Sequence, residues 1–579
     1  MEVRYGLGYQ NYEKMMENNI FYIDKTDFIR EWWDYADEVT LITRPRRFGK
    51  TLNMSTVECF FSNKYKGRKD LFGGRKVWED EELRTLQGTF PVIFMSFASV
   101  KPGRDAKAGN ETNISNIAEL TASIKKVIAD VYNEYAFIME KDLYTVDERK
   151  YFASVGYDMP DEIAYTAVNR LCLYLEKYYG KKVIVLLDEY DTPMQEAWLK
   201  GFWDEAVGFF RSFFGPTFKT NNSLCRGLIT GITRISKESI FSDLNHLKVV
   251  TTTSDEYATC FGFTEEEVFE ALDNSGLGEH KAGVKKWYDG FVFGGCADIY
   301  NPWSIASFIK GRGRYEAYWA NTSSNGLVSA LIRTSNIEAK KTVEDLLDGK
   351  SFQAPIDEQI IFSQLDGNIN AVWSLLVASG YLKIIGSEPF VEDRADDIKF
   401  TLTITNREVL FMFRNMIRGW FEIDVAGSAY NDFVKAMLLD DVEYMNEFMN
   451  EIALESFSSF DVAKNAAADD HPERFYHGFV LGLIVGLRDR FEITSNRESG
   501  FGRYDVVLKP RNREKDNAYI IEFKVFRASR EKDLKDTVAG ALAQIEERQY
   551  EKALTANGIP KEKIRKYGFA FQGKKCLIG

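Results

Sequence analysis

A short β-branched run that breaks into a basic turn and then into a helix is the feature that most restricts the fold of this chain. Residues 38–52 have the sequence EVTLITRPRRFGKTL. A buried strand that leads into a tight loop before a helix forms a cavity for phosphate oxygens out of backbone N–H groups. We expect Lys50 to reach the β- and γ-phosphates of a nucleotide and the Thr51 hydroxyl to bind Mg²⁺. The stretch therefore predicts a P-loop.

One position departs from the usual pattern G-x-x-x-x-G-K-[ST], because Arg44 stands where the first glycine is expected. The turn must then start differently, and Pro45 is a candidate for that task. A basic turn before an amphipathic helix remains the alternative interpretation of these residues. If the loop binds a nucleotide, its contacts come from Arg46, Arg47, Phe48, Gly49, Lys50, Thr51 and Leu52.

A second stretch supplies carboxylates where a nucleotide site needs them. Residues 181–191, KKVIVLLDEYD, form a continuous apolar run that predicts a strand buried on both faces of a parallel sheet. Ligands of such sheets bind beyond the carboxyl ends of the strands. Asp188 is expected to hold Mg²⁺ and Glu189 to polarise the attacking water. The alternative is that the pair caps the next helix or forms an ion pair with Arg46 or Arg47.

Two other runs predict further strands of the same sheet. Residues 91–97 are apolar and short, and residues 225–234 have the sequence CRGLITGITR. A polar group at the tip of the second strand would lie beside the phosphates, so Thr230, Thr233 and Arg234 are candidate nucleotide contacts. A simple cap between strand and helix explains them equally well.

Composition sets the outer limits. At 579 residues the chain is too long for one core, and three or four domains are expected. No apolar run approaches the ~20 residues of a membrane span, and the N-terminus lacks a signal segment, so a cytoplasmic protein without membrane contact is expected. The six cysteines include no CxxC pair and the four histidines no cluster, which argues against disulfides and zinc.

Charge is distributed unevenly along the chain. The net charge is −13, yet residues 503–579 contain 18 Lys+Arg and 11 Asp+Glu, a local charge of +7 that leaves −20 on the rest. A basic module on an acidic body is expected when only one domain contacts nucleic acid. A solvated basic face is the alternative.

The same basic module contains a candidate hydrolytic site. In the strand-like run AYIIEFKV, Glu522 and Lys524 share one face because side chains on a strand alternate. Asp505 lies on the preceding predicted strand. Two carboxylates with a lysine suit metal-assisted hydrolysis of phosphodiesters, with Asp505 and Glu522 on Mg²⁺ or Mn²⁺ and Lys524 acting on water. A solvated face is again the alternative.

Several ordered motifs resemble the AAA-ATPase-like family of bacterial proteins. They are YIDKT at 22–26, RPRRFGKT at 44–51, LDEYD at 187–191, TGITR at 230–234 and FSDLN at 241–245. The resemblance covers about residues 4–245 and implies an ATP-binding ATPase domain, commonly joined to a C-terminal PD-(D/E)xK nuclease domain. It also implies that the missing first glycine is a family trait. Asp24, Lys25 and Thr26 are then either near the nucleotide base or a cap for the next helix.

The C-terminal residues resemble the PD-(D/E)xK pattern over about 465–579. A Gly-x-x-Asp ends at Asp505, a Glu-x-Lys starts 17 positions later, and a helix carries Gln544 and then Tyr550. The resemblance implies that Gln544 and Tyr550 support the site and that Glu473 adds an acidic group. Tyr504 replaces the usual proline before the aspartate.

The sequence thus predicts an α/β protein with a P-loop NTPase domain over 1–250, a helical and winged-helix-like lid over 251–395, a helical bridge over 396–464 and a nuclease-like domain over 465–579. Aromatic turns at 287–291 and 300–304 are expected to be packing anchors. The expected function is an ATPase coupled to a metal-dependent nuclease that works under nucleotide control, with DNA rather than RNA as the expected substrate, in defence against foreign DNA. The alternative is a nucleotide-switched binding protein, and a homo-oligomer is among the expected assemblies.

Overall fold

The computed structural model describes residues 4–579 with the exception of short segments. These are 102, 105–110, 113, 235–239, 242–243, 320–330, 333–336, 348, 358–364, 366–367, 388–397, 423–428, 457–479, 481–483, 485–486, 488–489, 496–497, 500–501, 504–505, 514 and 573–574. The chain divides into two compact units. The first comprises Met1–Val328 and Ser351–Leu410, and the second Ser329–Lys350 and Phe411–Gly579. The four expected domains stay a prediction.

Helices and strands occur in both units. The helices are α1 (Tyr12–Glu17), α2 (Asp27–Tyr35), α3 (Lys50–Phe61), α4 (Glu81–Leu86), α5 (Ile117–Glu134), α6 (Val146–Ser154), α7 (Asp161–Tyr179), α8 (Thr192–Lys200), α9 (Trp203–Phe214), α10 (Glu265–Asn274), α11 (Lys281–Tyr288), α12 (Pro302–Lys310), α13 (Ile337–Leu347), α14 (Ile369–Ala378), α15 (Arg407–Glu422), α16 (Ala429–Leu439), α17 (Val442–Ser456), α18 (Leu534–Glu547) and α19 (Glu551–Ala556). The strands are β1 (Val39–Thr43), β2 (Val92–Ser96), β3 (Gly103–Arg104), β4 (Glu111–Thr112), β5 (Val183–Asp188), β6 (Leu224–Gly231), β7 (Leu247–Val250), β8 (Phe263–Thr264), β9 (Phe291–Phe293), β10 (Cys296–Tyr300), β11 (Phe352–Pro355), β12 (Leu382–Ser387), β13 (Lys399–Ile404), β14 (Phe491–Ser495), β15 (Glu498–Ser499), β16 (Gly502–Arg503), β17 (Val506–Pro510), β18 (Ala518–Val525), β19 (Ile564–Gln572) and β20 (Lys575–Ile578). Among the helices in the described part of the chain, none is both long enough and apolar enough to cross a bilayer.

A parallel sheet of five strands, in the order β2-β5-β6-β1-β7, organises the first unit. β1 and β5 are buried along their whole length, as their continuous apolar sequences predict for strands covered on both faces. β6 lies between them, so the carboxyl ends of the three strands meet at one edge. The sheet confirms the predicted α/β class and all four predicted strands.

Two small antiparallel sheets, β8-β10-β9 and β11-β13-β12, follow the parallel sheet in the first unit. The helix α14 lies between β11 and β12 in the chain, and its side chains from Ala371 to Val377 are buried around its whole circumference. A helix that is apolar all round is a core element, so α14 has no free face for the groove of a nucleic acid. The winged-helix-like lid stays a prediction.

Residues of these small sheets and their flanking turns close over the P-loop. The ring of Phe48 contacts Phe291, with their centroids 4.7 Å apart. The carbonyl oxygen of Arg46 accepts hydrogen bonds from Asn301 Nδ2 at 3.3 Å and from Trp319 Nε1 at 3.0 Å. The aromatic turns at 287–291 and 300–304 therefore contribute packing, as expected, and the second also fixes the P-loop backbone.

A buried carboxyl group holds Trp319, one of the two residues that contact the carbonyl oxygen of Arg46. Glu408, in the first turn of α15, accepts hydrogen bonds from the backbone N–H of Trp319 at 2.6 Å and from Ser304 Oγ at 2.8 Å. Burial raises the pKa of Glu408 to about 7, although both donors oppose that shift. Trp319 thus donates from its backbone N–H to Glu408 and from its indole N–H to the carbonyl oxygen of Arg46, and so connects Glu408 to the P-loop.

The second unit contains a sheet in the order β14-β17-β18-β19-β20, in which only β18 and β19 run parallel. Side chains of β18 alternate between two cores, with Tyr519, Ile521 and Phe523 on one face and Ile520 on the other. The helix α18 packs on the Ile520 face, where Ile545 joins the same core.

The last strand of this sheet has its outer edge covered by two asparagines one helical turn apart. Asn446 of α17 exchanges two hydrogen bonds of 2.8 Å with the backbone N–H and carbonyl of Ile578. Asn450 does the same with Cys576, at 2.9 and 2.8 Å. A step of four residues on a helix spans about 6 Å and a step of two on a strand about 6.6 Å, so the amides match alternate strand residues. The asparagines replace a missing strand and protect the edge.

Replacing both Asn446 and Asn450 by alanine should leave the edge groups of β20 without their partners. We expect each substitution to destabilise the second unit by about 1–2 kcal/mol, because an unsatisfied buried donor or acceptor costs that much. Hydrogen exchange of the peptide containing residues 575–579 should accelerate markedly. The control is Asn557→Ala, which removes an exposed hydrogen bond within α19 and its C-terminal turn; equal exchange in both proteins would contradict the edge role.

Glu408 should make stability depend on pH. Its pKa is about 7 in the folded protein against 4.5 for the unfolded chain, so the folded state holds the extra proton between these values. The contribution of Glu408 to stability is therefore greatest below pH ~4.5 and falls by about 3 kcal/mol as the pH rises to ~7. Other buried carboxyl groups, Asp188 among them, also have a raised pKa, so Glu408→Gln should make the fall in stability shallower in urea titrations, whereas exposed Glu266→Gln should leave it unchanged. An unchanged slope in Glu408→Gln would disprove the assignment.

Candidate functional site

The P-loop runs from the end of β1 to the start of α3, and two of its residues lie in the left-handed backbone region. Arg47 has φ 66° and Gly49 has φ 81°; glycine adopts such a φ without steric cost, whereas arginine does so only under constraint. The ammonium group of Lys50 is buried and donates hydrogen bonds of 2.9 Å to the carbonyl oxygens of Arg44 and Pro45. The predicted loop thus folds around its own lysine.

The arginine that replaces the first glycine has a structural role of its own. The Arg44 side chain is fully buried, and its guanidinium donates to the carbonyl oxygens of Thr251 and Glu256 while lying 4.7 Å from the ring centroid of Phe293. Burial lowers its pKa to about 10. The side chain therefore binds the segment after the parallel sheet, and the left-handed backbone needed for the turn occurs at Arg47 and Gly49 instead.

The other loop side chains that were predicted to contact a nucleotide differ in their exposure and in what they pack against. Arg47 is exposed and its guanidinium lies 4.4 Å from the ring centroid of Trp303. The side chain of Phe48 is buried, and those of Arg46 and Leu52 are half-buried. These positions leave the backbone of the loop, rather than most of its side chains, as the candidate phosphate contact.

A buried carboxylate joins three elements at the edge of the sheet. Asp188 ends β5 with none of its surface exposed, and its two oxygens accept hydrogen bonds from Thr51 Oγ1 at 2.7 Å and from Thr230 Oγ1 at 2.6 Å. Burial raises the pKa of Asp188, and the two hydroxyl donors lower it. The two residues predicted to bind Mg²⁺, Thr51 and Asp188, are therefore in direct contact.

Two more carboxylates follow Asp188. Glu189 has φ 51° and a half-buried side chain that accepts a hydrogen bond from Thr192 Oγ1 at 3.2 Å. Burial lowers the pKa of Lys50, whereas the negative charges of Glu189, Asp188 and Asp191 raise it. The three acidic side chains thus favour the charged form of the lysine.

Asp191 is a functional candidate that the sequence analysis missed. It is fully buried, and its Oδ2 accepts hydrogen bonds from the backbone N–H of Ile232 at 3.0 Å and from the N–H and hydroxyl of Thr233, both at 2.9 Å. A side chain at Gly231 would come within 2.8 Å of Asp191 Oδ1. Thr233, a predicted nucleotide contact, therefore serves to hold the tip of β6, and the half-buried Arg234 follows it.

The cluster at residues 24–26 fixes the chain around α2. Asp24 accepts hydrogen bonds from the N–H and hydroxyl of Thr26 and from the N–H of Lys76. Lys25 forms an ion pair with Glu267 at 2.5 Å. Thr26 precedes α2, but its side chain makes no cap hydrogen bond to that helix. The contacts are structural ties between segments.

In the second unit, two of the predicted hydrolytic residues, Glu522 and Lys524, lie on one face of β18. Glu522 is buried, accepts a hydrogen bond from Gln544 Nε2, and has Lys524 Nζ at 3.9 Å from its Oε1. The side-chain alternation predicted for Glu522 and Lys524 is confirmed. Tyr550 is buried in the core beneath α18 and α19, while Asp505 and Glu473 lie outside the described residues.

A glycine lets the helix approach closely enough for Gln544 to reach the strand. Gly568 of β19 is the register partner of Glu522. A β-carbon at Gly568 would lie 2.9 Å from the carbonyl oxygen of Val538 and 3.0 Å from Cβ of Ala541, both on α18. Contacts this short do not occur in folded proteins without displacement of the helix. The absence of a side chain at position 568 therefore sets the distance between α18 and Glu522.

Neither site brings three acidic, histidine or cysteine side chains together as a metal cluster within the residues the structure describes. The first site offers one carboxylate with one hydroxyl, which suits Mg²⁺ because this ion keeps several waters and takes further oxygens from phosphates. The second offers the carboxylate of Glu522.

Comparisons with known proteins give a separate family match for the part of the chain around each candidate site. Residues 6–241 match the family described as predicted AAA-ATPase, and residues 471–579 match the PD-(D/E)XK nuclease superfamily. The chain is 24% identical over 573 residues to the uncharacterized protein in vnfD 5′ region of Azotobacter chroococcum mcd 1, a match that covers 96% of this chain and 94% of that protein.

The Walker-type ATPase PABY2304 of Pyrococcus abyssi is similar at 14% identity and a TM-score of 0.35, over 71% of this chain and 99% of that one. The two family matches occupy separate parts of the chain. The first contains the P-loop site and the second contains Glu522 and Lys524. The chain therefore combines a region that matches the predicted AAA-ATPase family with a region that matches the PD-(D/E)XK nuclease superfamily.

Proposed function

We propose that the protein binds and hydrolyses ATP in its first unit and cuts DNA with a divalent metal in its second, under control of the bound nucleotide. The observation that carries the first half is the contact of Thr51 with Asp188 beside the buried Lys50. These are the hydroxyl, carboxylate and ammonium groups that an ATPase needs at the end of a parallel strand.

Each residue of the first site has a task in this proposal. Lys50 exchanges its carbonyl partners for phosphate oxygens, and backbone N–H groups of the loop from Arg46 to Leu52 surround the phosphates. Thr51 and Asp188 hold Mg²⁺, which when bound supplies positive charge opposite the phosphates. Glu189 orients and deprotonates the attacking water, while Thr233 and Arg234 lie at the strand tip where the γ-phosphate is sensed.

The second site carries the nuclease half. Glu522 and Asp505 are the proposed ligands of Mg²⁺ or Mn²⁺, whose charge stabilises the phosphate being attacked. Lys524 orients the water, and Gln544 fixes the Glu522 carboxylate through its hydrogen bond. A buried carboxylate with a lysine 3.9 Å away suits hydrolysis better than passive binding, because burying a charge costs free energy that a solvated surface would not require.

The pairing of the two regions in one chain supports nucleotide control of cleavage, and such a pair fits defence against foreign DNA. The second candidate function is a nucleotide-switched protein that binds nucleic acid or protein without cutting. Divalent-metal affinity at Asp505 and Glu522 separates the two, since the binding protein has no use for the metal.

Cleavage of linear and circular DNA with Mg²⁺ or Mn²⁺, measured with and without ATP, tests the proposal. We expect Lys524→Ala to lower the rate at least 100-fold, because the water loses its partner. Lys50→Met should leave the chemistry intact but abolish the difference that ATP makes, because the phosphates lose their charged donor.

The matched controls are Lys515→Ala, at an exposed lysine at the opposite end of β18, and Lys14→Met, at an exposed lysine of α1. Both should cut DNA like the wild type. Absence of cleavage under all conditions, with ATP binding still lost in Lys50→Met, would favour the non-cleaving binding protein.

A further inference from the structure

The turn that follows β18 is rich in exposed positive charge and lies next in the chain to Lys524. We define the basic loop as residues 526–535, FRASREKDLK, which comprise this turn and the first two residues of α18. Within this loop the side chains of Arg530, Lys532 and Lys535 are exposed. Within the part of the chain that the structure describes, none of the three takes part in an ion pair.

In the part of the chain that the structure describes, the acidic residues in and beside this loop form no ion pair with these three side chains, because they accept hydrogen bonds from the backbone and from Thr537. Glu531 accepts hydrogen bonds from the backbone N–H of Arg527 at 2.7 Å and from Thr537 Oγ1 at 2.9 Å. Asp533 caps α18 by accepting from the N–H of Lys535 and Asp536, at 2.9 and 3.2 Å. The carboxylates thus shape the backbone.

Asp536 completes this arrangement by accepting a hydrogen bond of 2.9 Å from the N–H of Lys532. The loop is also attached to the sheet, since the N–H of Phe526 donates to the carbonyl oxygen of Phe571 at 2.9 Å. A turn held at both ends presents its basic side chains from a fixed backbone, which lowers the entropy lost when they bind a partner.

The loop and the candidate hydrolytic residues share one end of the sheet. Lys524 is the second-last residue of β18, so the loop leaves the strand two residues beyond it. Its far end continues into α18, the helix that brings Gln544 to Glu522. A ligand that touches the loop therefore reaches the candidate site at the carboxyl end of β18.

We propose that the basic loop binds the phosphate backbone of the DNA substrate through Arg530, Lys532 and Lys535 and so directs the DNA across Glu522 and Lys524. The inference rests on the proposed nuclease function and adds the element that recognises the substrate. Contacts to phosphates position DNA without reading its sequence, so the loop supplies affinity and orientation but no base preference.

The triple variant Arg530→Ala, Lys532→Ala, Lys535→Ala tests this proposal in the full-length chain. Its binding to a fluorescent 30-base-pair duplex is measured by anisotropy in EDTA, which prevents metal-dependent cleavage, at several KCl concentrations. We expect the affinity to fall at least 10-fold at about 0.1 M KCl. The slope of log affinity against log salt should decrease by up to about 2.7, which is about 0.9 for each phosphate that the variant no longer neutralises.

A matched control removes the same charge from the other end of β18. Arg511, Arg513 and Lys515 are exposed in the turn between β17 and β18, roughly 23 Å along the strand from the loop. Their triple alanine variant should keep wild-type affinity within about twofold and most of the salt slope. Equal losses of affinity in both triple variants would show that DNA binding depends on the total positive charge and not on this loop, and would overturn the proposal.

Two further outcomes separate this proposal from the nuclease function. If wild-type protein binds duplex DNA through the loop but cuts nothing with any metal, the loop assignment stands and the nuclease proposal fails. If DNA is cut and the loop variant has unchanged affinity and KM, the loop assignment fails alone, and an acidic protein becomes the better partner for this surface. Circular dichroism of both triple variants confirms that they are folded.

Discussion

The buried carboxylate of Asp188 is the constraint on which the first unit depends. It ends a strand that is covered on both faces, and its oxygens accept hydroxyl hydrogens from α3 and from β6. An unpaired carboxylate in that position would cost several kcal/mol, so the sheet order and the start of α3 must bring Thr51 and Thr230 to it. The P-loop is therefore tied to the neighbouring strands through one side chain.

The same edge of the sheet concentrates charges that are expensive to bury. Burial raises the pKa of Asp188 and Asp191 and lowers that of Lys50 and Arg44, so each group is held in a less favourable environment than water. Their opposite signs offset part of this cost. Such a concentration of shifted groups is common at functional sites, and the second unit repeats the principle with Glu522 buried beside Lys524.

Local patterns in the sequence were sufficient for the features that depend on neighbours in the chain. The apolar run before Asp188, the strand before the P-loop and the shared face of Glu522 and Lys524 follow from periodicity alone. Features that depend on distant partners were not predictable in this way: Asn301 and Trp319 bind Arg46 from 255 and 273 positions away, and Arg44 replaces a glycine because its partners come from the segment after the sheet. Asn446 and Asn450, which cover β20, carry no local signal either.

The measurement that tests the central role of Asp188 most directly is ATP affinity by calorimetry, with Mg²⁺ and with EDTA, in the wild type and in Asp188→Asn. Asparagine keeps the shape and removes the charge. We expect Mg²⁺ to strengthen ATP binding by at least about tenfold in the wild type. In Asp188→Asn the strengthening should nearly vanish, while binding in EDTA is unchanged or tighter. An equal effect of Mg²⁺ on both proteins would contradict this expectation.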